Sequence, residues 1–362
     1  MGTRVMIMAG GTGGHVYPAL AVARLLRARG ADVSWMGAPR GFEARLIPGE
    51  GFAFFSVSVS GLRGKGLRRR LSAPFMLVGA IWQAAAVVRK ARPAVVLGMG
   101  GFVTGPGGVA SRLLGRPLVI HEQNAIPGMT NRLLSRIANQ VLEATPGSFG
   151  DGTKALAVGN PVRDEIAALP EPATRFAARD AAVRVLVLGG SLGAQALNET
   201  VPAGLARLLD TSNTLGLAVR HQAGRGKRPT AEAAYREAGV DAEVHEFIDD
   251  MAAAYGWADL VICRAGALTV AELAAAGVAA LLVPYPHAVD DHQTANARYL
   301  GDAGAALLLP QAGMTAESLA GRLGEMLADG RDGLLRMALA ARALAKPDAA
   351  AAVADACEAL AR

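Results

Sequence analysis

The chain has 362 residues, of which 52% are apolar and 19% charged. At about 100–200 residues per domain, this length fits two medium domains and excludes a small peptide module, while the apolar content excludes a disordered chain. The 37 basic and 31 acidic side chains give a net charge of +6, which favours anionic partners. No nucleic acid partner is expected.

The two cysteines, Cys263 and Cys357, are too few for a disulfide framework, so we expect a reducing, cytoplasmic setting. No spacing of cysteine or histidine residues suits a metal cage, and we expect no metal or other cofactor.

The N-terminal residues enter a strand pattern at once and lack the charged and apolar regions of a signal peptide. Basic side chains cluster at residues 62–70, directly before an apolar run at residues 73–88. That run is interrupted by Gln83 and is shorter than the about 20 residues that a membrane-spanning helix needs. We therefore expect neither export nor a transmembrane segment.

Two glycine-rich turns stand at matching places, 179 positions apart. An apolar strand is predicted over residues 5–9 and leads into Gly10-Gly11-Thr12-Gly13-Gly14-His15, which is followed by a helical pattern. A second strand, predicted over residues 183–188, leads into Gly189-Gly190-Ser191-Leu192-Gly193 and another helix. This repetition suggests two similar halves.

Apolar runs separated by helix-length segments continue through each half. Further strands are predicted at 33–36, 94–97, 118–120 and 140–142, and then at 217–221, 243–247, 260–263 and 279–283. Such runs indicate parallel sheets covered by helices on both faces, hence an α/β protein with two doubly wound, Rossmann-like domains. Because Pro161 restricts the backbone, we place the domains at 1–161 and 162–344. A C-terminal helix within 345–362 is expected to pack back on the first domain.

A glycine-rich turn between strand and helix lets backbone N–H groups approach an anion, and the helix N-terminus adds partial positive charge. Alternatively, glycine only allows close packing. Two such turns at matching positions favour ligand binding, because ligands of open α/β sheets bind at the carboxyl ends of strands. A dinucleotide-dependent oxidoreductase is disfavoured, since the strand at 33–36 is followed by Gly37-Ala38-Pro39-Arg40 without the acidic residue that would bind a ribose.

Two polar clusters of the first half follow predicted strands. Residues 98–108 are so rich in glycine that a loop is predicted, because glycine is costly inside strands and helices. His121, Glu122, Gln123 and Asn124 stand at the end of the next strand, where a site is favoured over a helix cap with a solvated loop.

The second half offers a different set of polar groups. A helix beginning at Leu268 or Thr269 would direct N–H groups at a phosphate. Glu272 either accepts hydrogen bonds from a ribose diol or stabilises the helix dipole. A polar cluster at 290–296 suits sugar hydroxyls, with a solvated helix start as the alternative. The acidic pairs at 249–250 and 290–291 are predicted as helix starts.

Taken in order, the motifs resemble those of the MurG family of bacterial UDP-N-acetylglucosamine:undecaprenyl-diphospho-muramoyl-pentapeptide N-acetylglucosaminyltransferases. The motifs that carry the resemblance are residues 8–15, 60–66, 98–108, 121–124, 159–163, 189–191, 246–251 and 263–272. The resemblance runs nearly end to end. It implies a GT-B fold whose two domains face a cleft, with the lipid-linked acceptor on the first domain and UDP-GlcNAc mainly on the second. It also implies peptidoglycan synthesis at the cytoplasmic face of the inner membrane.

The resemblance further implies the donor contacts. They fall on Thr12, Gly13, Gly14, Asn124, Arg163, Ser191, Ile248, Ala267, Leu268, Thr269, Val270, Ala271, Glu272 and Gln293. The spacing around residues 287–296 departs somewhat from the family pattern, which affects Gln293 most. Phe102 stands where some members carry Tyr, which argues against a required hydroxyl there.

The implied reaction is an inverting displacement in which the C4 hydroxyl of the muramoyl sugar attacks C1 of GlcNAc and UDP leaves. The helix start near Leu268, the turn at Ser191 and Arg163 would stabilise the leaving diphosphate without a metal. The base is predicted to be His15, because an imidazole titrates near neutrality, with Glu122 as the second candidate. His121 could equally be a packed core histidine, and His15 could merely position a phosphate or hydroxyl.

Two other functions remain open at this stage, a UDP-GlcNAc 2-epimerase and a non-catalytic UDP-sugar-binding protein. The basic and apolar segments near residues 62–82 and the acceptor-side motifs favour the transferase. Peripheral attachment to an anionic membrane is predicted through a basic cluster beside apolar side chains, namely Arg63, Lys65, Arg68, Arg69 and Arg70 with Leu71, Phe75 and Trp82. A buried helix beneath a solvated basic loop is the alternative. Cell-wall synthesis proteins are possible further partners.

Overall fold

The computed structural model describes residues 2–58, 67–179, 182–190, 193–211 and 216–361, with the backbone alone for residues 67–73 and 289. The chain divides into two compact units. The first consists of residues 1–163 together with 346–362, and the second of residues 164–345.

The first unit contains a parallel sheet covered by helices. Its strands are β1 (Arg4–Met8), β2 (Asp32–Gly37), β3 (Ala53–Ser56), β4 (Val95–Gly98), β5 (Leu118–Glu122), β6 (Gln140–Glu143) and β7 (Ala155–Ala157). Its helices up to residue 163 are α1 (Gly13–Ala28), α2 (Glu43–Gly49), α3 (Leu67–Ala91), α4 (Thr104–Leu113) and α5 (Met129–Leu134). The strands are ordered β3-β2-β1-β4-β5-β6-β7, and each neighbouring pair is parallel.

The second unit repeats this plan. Its strands are β8 (Val183–Leu188), β9 (Leu217–Gln222), β10 (Glu243–His245), β11 (Leu260–Cys263), β12 (Ala279–Leu282) and β13 (Ala306–Leu308), in the parallel order β10-β9-β8-β11-β12-β13. Its helices are α6 (Asp164–Ala167), α7 (Pro172–Ala177), α8 (Gln195–Thr211), α9 (Arg228–Ala238), α10 (Met251–Trp257), α11 (Ala267–Ala276), α12 (His292–Gly301), α13 (Ala316–Met326) and α14 (Gly330–Ala343). The chain ends in α15 (Ala349–Leu360), which packs on α1 of the first unit.

Both faces of the first sheet are covered, as its sequence pattern requires. Val5 and Ile7 belong to one hydrophobic core, whereas the alternating residues Met6 and Met8 belong to another. In each unit, the first strand of the sheet lies between the second strand and the strand to which the chain returns on the other side. These orders are β2-β1-β4 in the first unit and β9-β8-β11 in the second. Ligands of such sheets bind outside the carboxyl ends of strands at this reversal. The predicted pair of doubly wound, Rossmann-like sheets is confirmed.

Three strands, β3, β7 and β13, were not predicted from the sequence. They have four, three and three residues, so they are too short to produce an apolar run. Each lies at or near one end of its sheet and exposes part of its side chains to solvent.

The prediction of a loop over residues 98–108 is wrong from Thr104 onward, where α4 begins. Glycine is used here for close packing between helix and sheet. A Cβ atom on Gly107 would collide with Met8 Sδ, and one on Gly108 would lie 2.8 Å from Leu134 Cδ2. The hydroxyl of Thr104 donates to the carbonyl of Gly100 (2.8 Å) and ties the helix start to the preceding turn.

Helix α3 is half buried rather than wholly buried. Ala80, Ala84 and Val88 lie in the core, whereas Phe75 is 80% exposed and Trp82 is 70% exposed. The alternative of a buried apolar helix is therefore wrong. No helix in the described residues combines the length and apolarity that crossing a bilayer requires.

Candidate functional site

The first glycine turn is held by a carboxylate of its own unit. Gly11 adopts φ +94° between β1 and α1, and its N–H donates to Glu43 Oε2 (3.1 Å). The other oxygen of Glu43 accepts the N–H of Ala38 (2.9 Å), and the whole side chain is buried. One backbone donor of this turn is therefore already paired with a negative group.

The second glycine turn also has a positive φ at its second glycine, but its supporting side chain is neutral. Gly190 adopts φ +78°, and its N–H donates to Gln222 Oε1 (2.9 Å). The amide nitrogen of Gln222 donates to the carbonyls of Gly190 (3.0 Å) and Glu246 (2.9 Å). Ser191 lies outside the described residues. An amide thus occupies the place that a carboxylate occupies in the first turn.

A cavity of about 390 Å³ lies beside the second turn, wholly within the second unit. It is lined by Gly189, Gly193, Ala194, Gln195, Ala196, Lys227, Arg264, Tyr285, Gln293 and Gln311. Both charged side chains of this lining are cationic, and the N-terminus of α8 opens on the same space. The cavity therefore suits an anionic group such as a diphosphate.

The guanidinium of Arg264 is held by neutral oxygen atoms. It donates to the carbonyl of Val283 (3.1 Å) and to Gln311 Oε1 (2.5 Å), and it lies 5.5 Å from the ring centroid of Tyr285. Burial lowers the pKa of Arg264, which nevertheless stays charged at neutral pH. Lys227 Nζ donates to the carbonyl of Gly193 at 3.5 Å. These contacts orient both cations at the turn.

Helix α11 begins at Ala267, one residue before the predicted start, and Gly266 precedes it in an extended conformation. Ala267, Leu268, Thr269 and Ala271 are half buried, and Val270 is buried. Glu272 is also buried, and the hydroxyl of Tyr255 donates to its Oε2 (3.2 Å). The predicted donor residues 267–272 thus form the first turns of one helix.

Of the remaining predicted residues of the second unit, Gln293 lies in the first turn of α12 and Ile248 lies in a loop. Gln293 lines the cavity with Arg264, and its Oε1 accepts the N–H of Tyr285 (2.9 Å). Ile248 is half buried in the loop after β10. Asp250 caps α10 by accepting the N–H of Ala253 (2.8 Å), and Asp291 precedes α12, so both acidic pairs are helix starts as predicted.

Glu122 organises the loop that follows β5. Its Oε1 accepts hydrogen bonds from the backbone N–H and the side-chain amide of Asn124, both at 3.0 Å. Its Oε2 accepts from the N–H of Gly128 (3.2 Å) and the amide of Asn131 (2.9 Å). Since the carboxylate is also buried, these contacts favour a structural role over the removal of a proton from a substrate.

His15 lies in the first turn of α1, half buried, and its Nδ1 is 3.1 Å from Gln123 Oε1. His121 is fully buried, and its Nε2 donates to the carbonyl of Gly159 (2.8 Å). Burial lowers the pKa of His121 to about 4, so the alternative of a packed core histidine is correct.

Other predicted residues of the first unit surround the start of α1. Thr12 is exposed, and Gly13 and Gly14 are half buried in the first turn. The guanidinium of Arg163 lies 5.3 Å from the ring centroid of Tyr17, within range of a cation–π interaction.

Several residues were missed from the sequence. Glu43 and Gln222 support the two turns, and Lys227, Tyr285 and Gln311 line the cavity. Arg264 carried a usable signal, because it directly follows β11 at the carboxyl end of a central strand. Within the described ranges, no group of three or more His, Cys, Asp or Glu side chains is arranged to hold a metal ion.

Comparison with known proteins agrees with the two-unit plan. The profile of the glycosyltransferase family 28 N-terminal domain matches residues 5–143, and that of the family's C-terminal domain matches residues 184–353. A protein of Chromohalobacter salexigens is 58% identical over 96% of this chain and 94% of its own length. A protein of Aeromonas hydrophila is 53% identical over 100% of this chain and 98% of its own length. Both are named UDP-N-acetylglucosamine–N-acetylmuramyl-(pentapeptide) pyrophosphoryl-undecaprenol N-acetylglucosamine transferase.

Among solved structures, that of Acinetobacter baumannii MurG superposes with a TM-score of 0.86 at 43% identity and covers 99% of both chains. A putative UDP-N-acetylglucosamine 2-epimerase of Listeria monocytogenes superposes with a TM-score of 0.67 at 14% identity, covering 97% of this chain and 94% of its own. The second likeness is one of fold alone.

Proposed function

This chain belongs to glycosyltransferase family 28, and from that premise we propose that it transfers N-acetylglucosamine from UDP-GlcNAc to a lipid-linked acceptor. The acceptor is undecaprenyl-diphospho-muramoyl-pentapeptide, and its C4 hydroxyl is the nucleophile. The observation that carries the proposal is the 58% identity, over 96% of this chain, to a relative named for this reaction. The resemblance to the MurG family is confirmed, whereas the epimerase shares only the fold.

We place the nucleotide of the donor on the second unit. The cavity beside Gly189 and Gly193 has two cations in its lining, and donors on a helix start add to their field. Glu272 is buried one turn into α11, where its carboxylate would accept hydrogen bonds from the ribose diol. The hydroxyl of Tyr255 holds that carboxylate from one side.

We retain the other donor contacts that the family resemblance implies. In the second unit these are Ser191, Ile248, the helix start from Ala267 to Ala271, and Gln293. In the first unit they are Thr12, Gly13, Gly14, Asn124 and Arg163. Gln293 gains support because it lines the cavity that holds Arg264 and Lys227.

The chemistry needs a base and a stabilised leaving group. The acceptor hydroxyl loses its proton to His15 as its oxygen bonds to C1 of GlcNAc, and the C1–O bond to the diphosphate breaks with its electron pair going to UDP. Positive groups of the cavity then stabilise the charge that develops on the diphosphate. We propose His15 rather than Glu122 because both oxygens of Glu122 already accept two hydrogen bonds each.

A transfer assay tests the proposed function. The purified chain is incubated with radiolabelled UDP-GlcNAc and the lipid-linked muramoyl acceptor, and lipid-soluble label is counted and its mass determined. We expect one added GlcNAc and an equal amount of UDP. An acceptor lacking the C4 hydroxyl is the matched control and should take up none. Absence of transfer, or conversion of UDP-GlcNAc into its 2-epimer, would contradict the proposal.

We also propose that the first unit attaches peripherally to an anionic membrane, at the cytoplasmic face where the lipid-linked acceptor is exposed. The support is the apolar face of α3, on which Phe75, Val78 and Trp82 are more than half exposed. Helix α5 adds Met129 and Leu133, which are 60% and 56% exposed. Arg63 and Lys65 lie outside the described residues, as do the side chains of Arg68, Arg69, Arg70 and Leu71.

Cosedimentation with liposomes separates the two components of this attachment. Changing Arg68, Arg69 and Arg70 to Glu should remove the salt-sensitive part, because each basic residue near an anionic leaflet contributes about 1 kcal/mol. Changing Phe75 and Trp82 to Ser should remove the salt-insensitive part. Leu339→Ser, at an exposed position of α14 in the second unit, is the control. If the triple Glu variant and the double Ser variant both bind liposomes as well as the parent does, the membrane face lies elsewhere.

A further inference from the structure

The imidazole of His15 is hydrogen-bonded to Gln123, and the orientation of Gln123 is set by a backbone carbonyl. Gln123 Nε2 lies 2.9 Å from the carbonyl oxygen of Met99, and the side chain is buried. A carbonyl oxygen only accepts hydrogen bonds. The NH2 group of Gln123 must therefore face Met99, which turns Oε1 toward His15.

This orientation decides which nitrogen of His15 carries the proton. Gln123 Oε1 only accepts, and it lies 3.1 Å from His15 Nδ1. Nδ1 must therefore be the protonated nitrogen of the neutral ring, which leaves a lone pair on Nε2. Within the described part of the chain, Nε2 has no hydrogen-bond partner.

His121 completes the chain of hydrogen bonds from a second backbone carbonyl. Its Nε2 lies 2.8 Å from the carbonyl oxygen of Gly159 and must donate. Its Nδ1 is then unprotonated and accepts the second N–H of Gln123 at 3.2 Å. Every donor in this sequence meets an acceptor, so the two carbonyls define one consistent pattern from Gly159 to His15.

Gly100 confines the imidazole from another direction. It adopts φ +102°, and a Cβ atom there would lie 2.7 Å from His15 Nδ1 and 2.9 Å from Cε1. The ring therefore packs directly on the backbone of the turn that follows β4. That packing restricts the rotation that would break the contact with Gln123.

We infer that Gln123 and His121 are positioning residues that hold His15 in the Nδ1–H tautomer, so that Nε2 is the atom that receives the proton of the acceptor hydroxyl. The catalytic part of this inference rests on the proposed function. When Nε2 takes the proton, the ring becomes an imidazolium whose Nδ1–H still donates to Gln123 Oε1. The amide accepts that hydrogen bond but takes no proton, so His15 must release its proton to solvent before the next turnover.

Long-range ¹H–¹⁵N correlation spectra of the intact protein, labelled with ¹⁵N-histidine, read the tautomers directly. At a pH where the imidazoles are neutral, we expect His15 as Nδ1–H and His121 as Nε2–H. His221 is an internal reference, because Asn198 donates to the carbonyl of Ala223 (3.0 Å) and so presents Oδ1 to His221 Nε2 (3.0 Å). It should be Nε2–H. The spectrum of His15→Gln assigns the His15 signals.

Substitution of Gln123 links the tautomer to the reaction. Gln123→Leu should raise the Nε2–H fraction of His15 and lower kcat about 10- to 100-fold, with KM for UDP-GlcNAc changed by less than about 3-fold. Gln123→Glu keeps an acceptor for Nδ1–H and should restore part of kcat. The His221 signals should be unchanged in both variants, which shows that the second unit is folded, and a retained Nε2–H signal of His121, which donates to the carbonyl of Gly159, shows the same for the first unit.

The outcomes separate this inference from the proposed function. An Nε2–H tautomer of His15 in the parent protein, or a tautomer unchanged by Gln123→Leu, would overturn the inference whatever the protein transfers. A changed tautomer with unchanged kcat would overturn the positioning role in the reaction. Failure of the parent to transfer GlcNAc would overturn the proposed function, and the spectra would still report the tautomer.

Discussion

The two glycine turns each have a positive φ at their second glycine, and they differ in the side chain that supports this glycine. In each, the second glycine has a positive φ, and its N–H donates to a side chain 32 positions further on, Glu43 for Gly11 and Gln222 for Gly190. Glu43 brings a carboxylate to the first turn, whereas Gln222 brings a neutral amide to the second. In the second unit, a cavity lined by Lys227 and Arg264 lies beside the turn.

We infer from this difference that the two units, although similar in fold, have different roles. A carboxylate that already accepts the Gly11 N–H repels a diphosphate at the first turn, whereas a neutral amide and two cations favour one at the second. The first unit instead carries His15 on the helix that follows its turn. The glycine pattern alone therefore does not identify a phosphate site, and we propose that the partner of the second glycine distinguishes the two turns.

The largest effect expected is on turnover, from the first unit. His15→Ala removes the proposed base, so kcat should fall about 10²–10⁴-fold while affinity for UDP is unchanged. Steady-state transfer kinetics with calorimetric titration of UDP measure both quantities. His245→Ala, at a partly exposed position of the second unit, is the control. Near-normal turnover of a folded His15→Ala protein would remove His15 from this role.

A smaller effect is expected on donor affinity, from the second unit. Glu272→Ala should weaken UDP and UDP-GlcNAc alike by about 1.5–3 kcal/mol, because hydrogen bonds to a charged group have that magnitude. Calorimetric titration gives both affinities. Tyr255→Phe removes only the hydroxyl that holds the carboxylate and should cost less. Unchanged UDP affinity in folded Glu272→Ala would leave Glu272 with only the helix-dipole role.

Exchanging the supporting side chains tests the comparison itself. Glu43→Gln leaves one of the two partly buried N–H groups facing an amide nitrogen. This should lower the free energy of unfolding by about 1–3 kcal/mol without changing UDP affinity. Gln222→Glu brings a negative charge to the second turn and should weaken UDP binding by on the order of 1 kcal/mol. Urea unfolding and calorimetry measure the two effects. Equal losses of UDP affinity in both variants would contradict the assignment.

Much of the fold follows from local sequence, whereas the supports of the site do not. Val183–Leu188 is apolar except for Arg184, and Leu260–Cys263 is apolar throughout; both runs predict buried parallel strands. Glu272 was proposed from its place near a predicted helix start and Gln293 through the family resemblance, and the structure places Gln293 at the cavity. Glu43 and Gln222 contact glycines 32 positions away, and nothing in the sequence pattern indicates such a contact.

The loop predicted at residues 98–108 failed for a related reason. Glycine is costly in an isolated helix, but the close packing of Gly107 and Gly108 against the sheet and α5 offsets that cost. The edge strand β13 has only three residues and forms because β12 supplies its hydrogen-bond partners. Such tertiary contacts are absent from any local pattern.

A pH effect on stability should be common to both units. Burial lowers the pKa of His121 and of His221 to about 4, below the ordinary value near 6.5. Their contribution to stability is therefore complete above about pH 6.5 and is lost as the pH falls toward 4, by at most about 1.4 kcal/mol per pH unit for each histidine. Urea unfolding at several pH values measures the slope. His221→Gln should reduce it, and a parent protein stabilised by acidification would contradict both assignments.

We propose that the second turn, and not the first, holds the diphosphate of the donor. Calorimetric titration of UDP and of uridine, each into the parent, Arg264→Met and Glu43→Gln proteins, tests it most directly. The ratio of the Kd of uridine to the Kd of UDP measures what the diphosphate contributes. We expect Arg264→Met to reduce this ratio about 10-fold or more and Glu43→Gln to leave it unchanged. A ratio that is unchanged in Arg264→Met and altered in Glu43→Gln would place the diphosphate at the first turn.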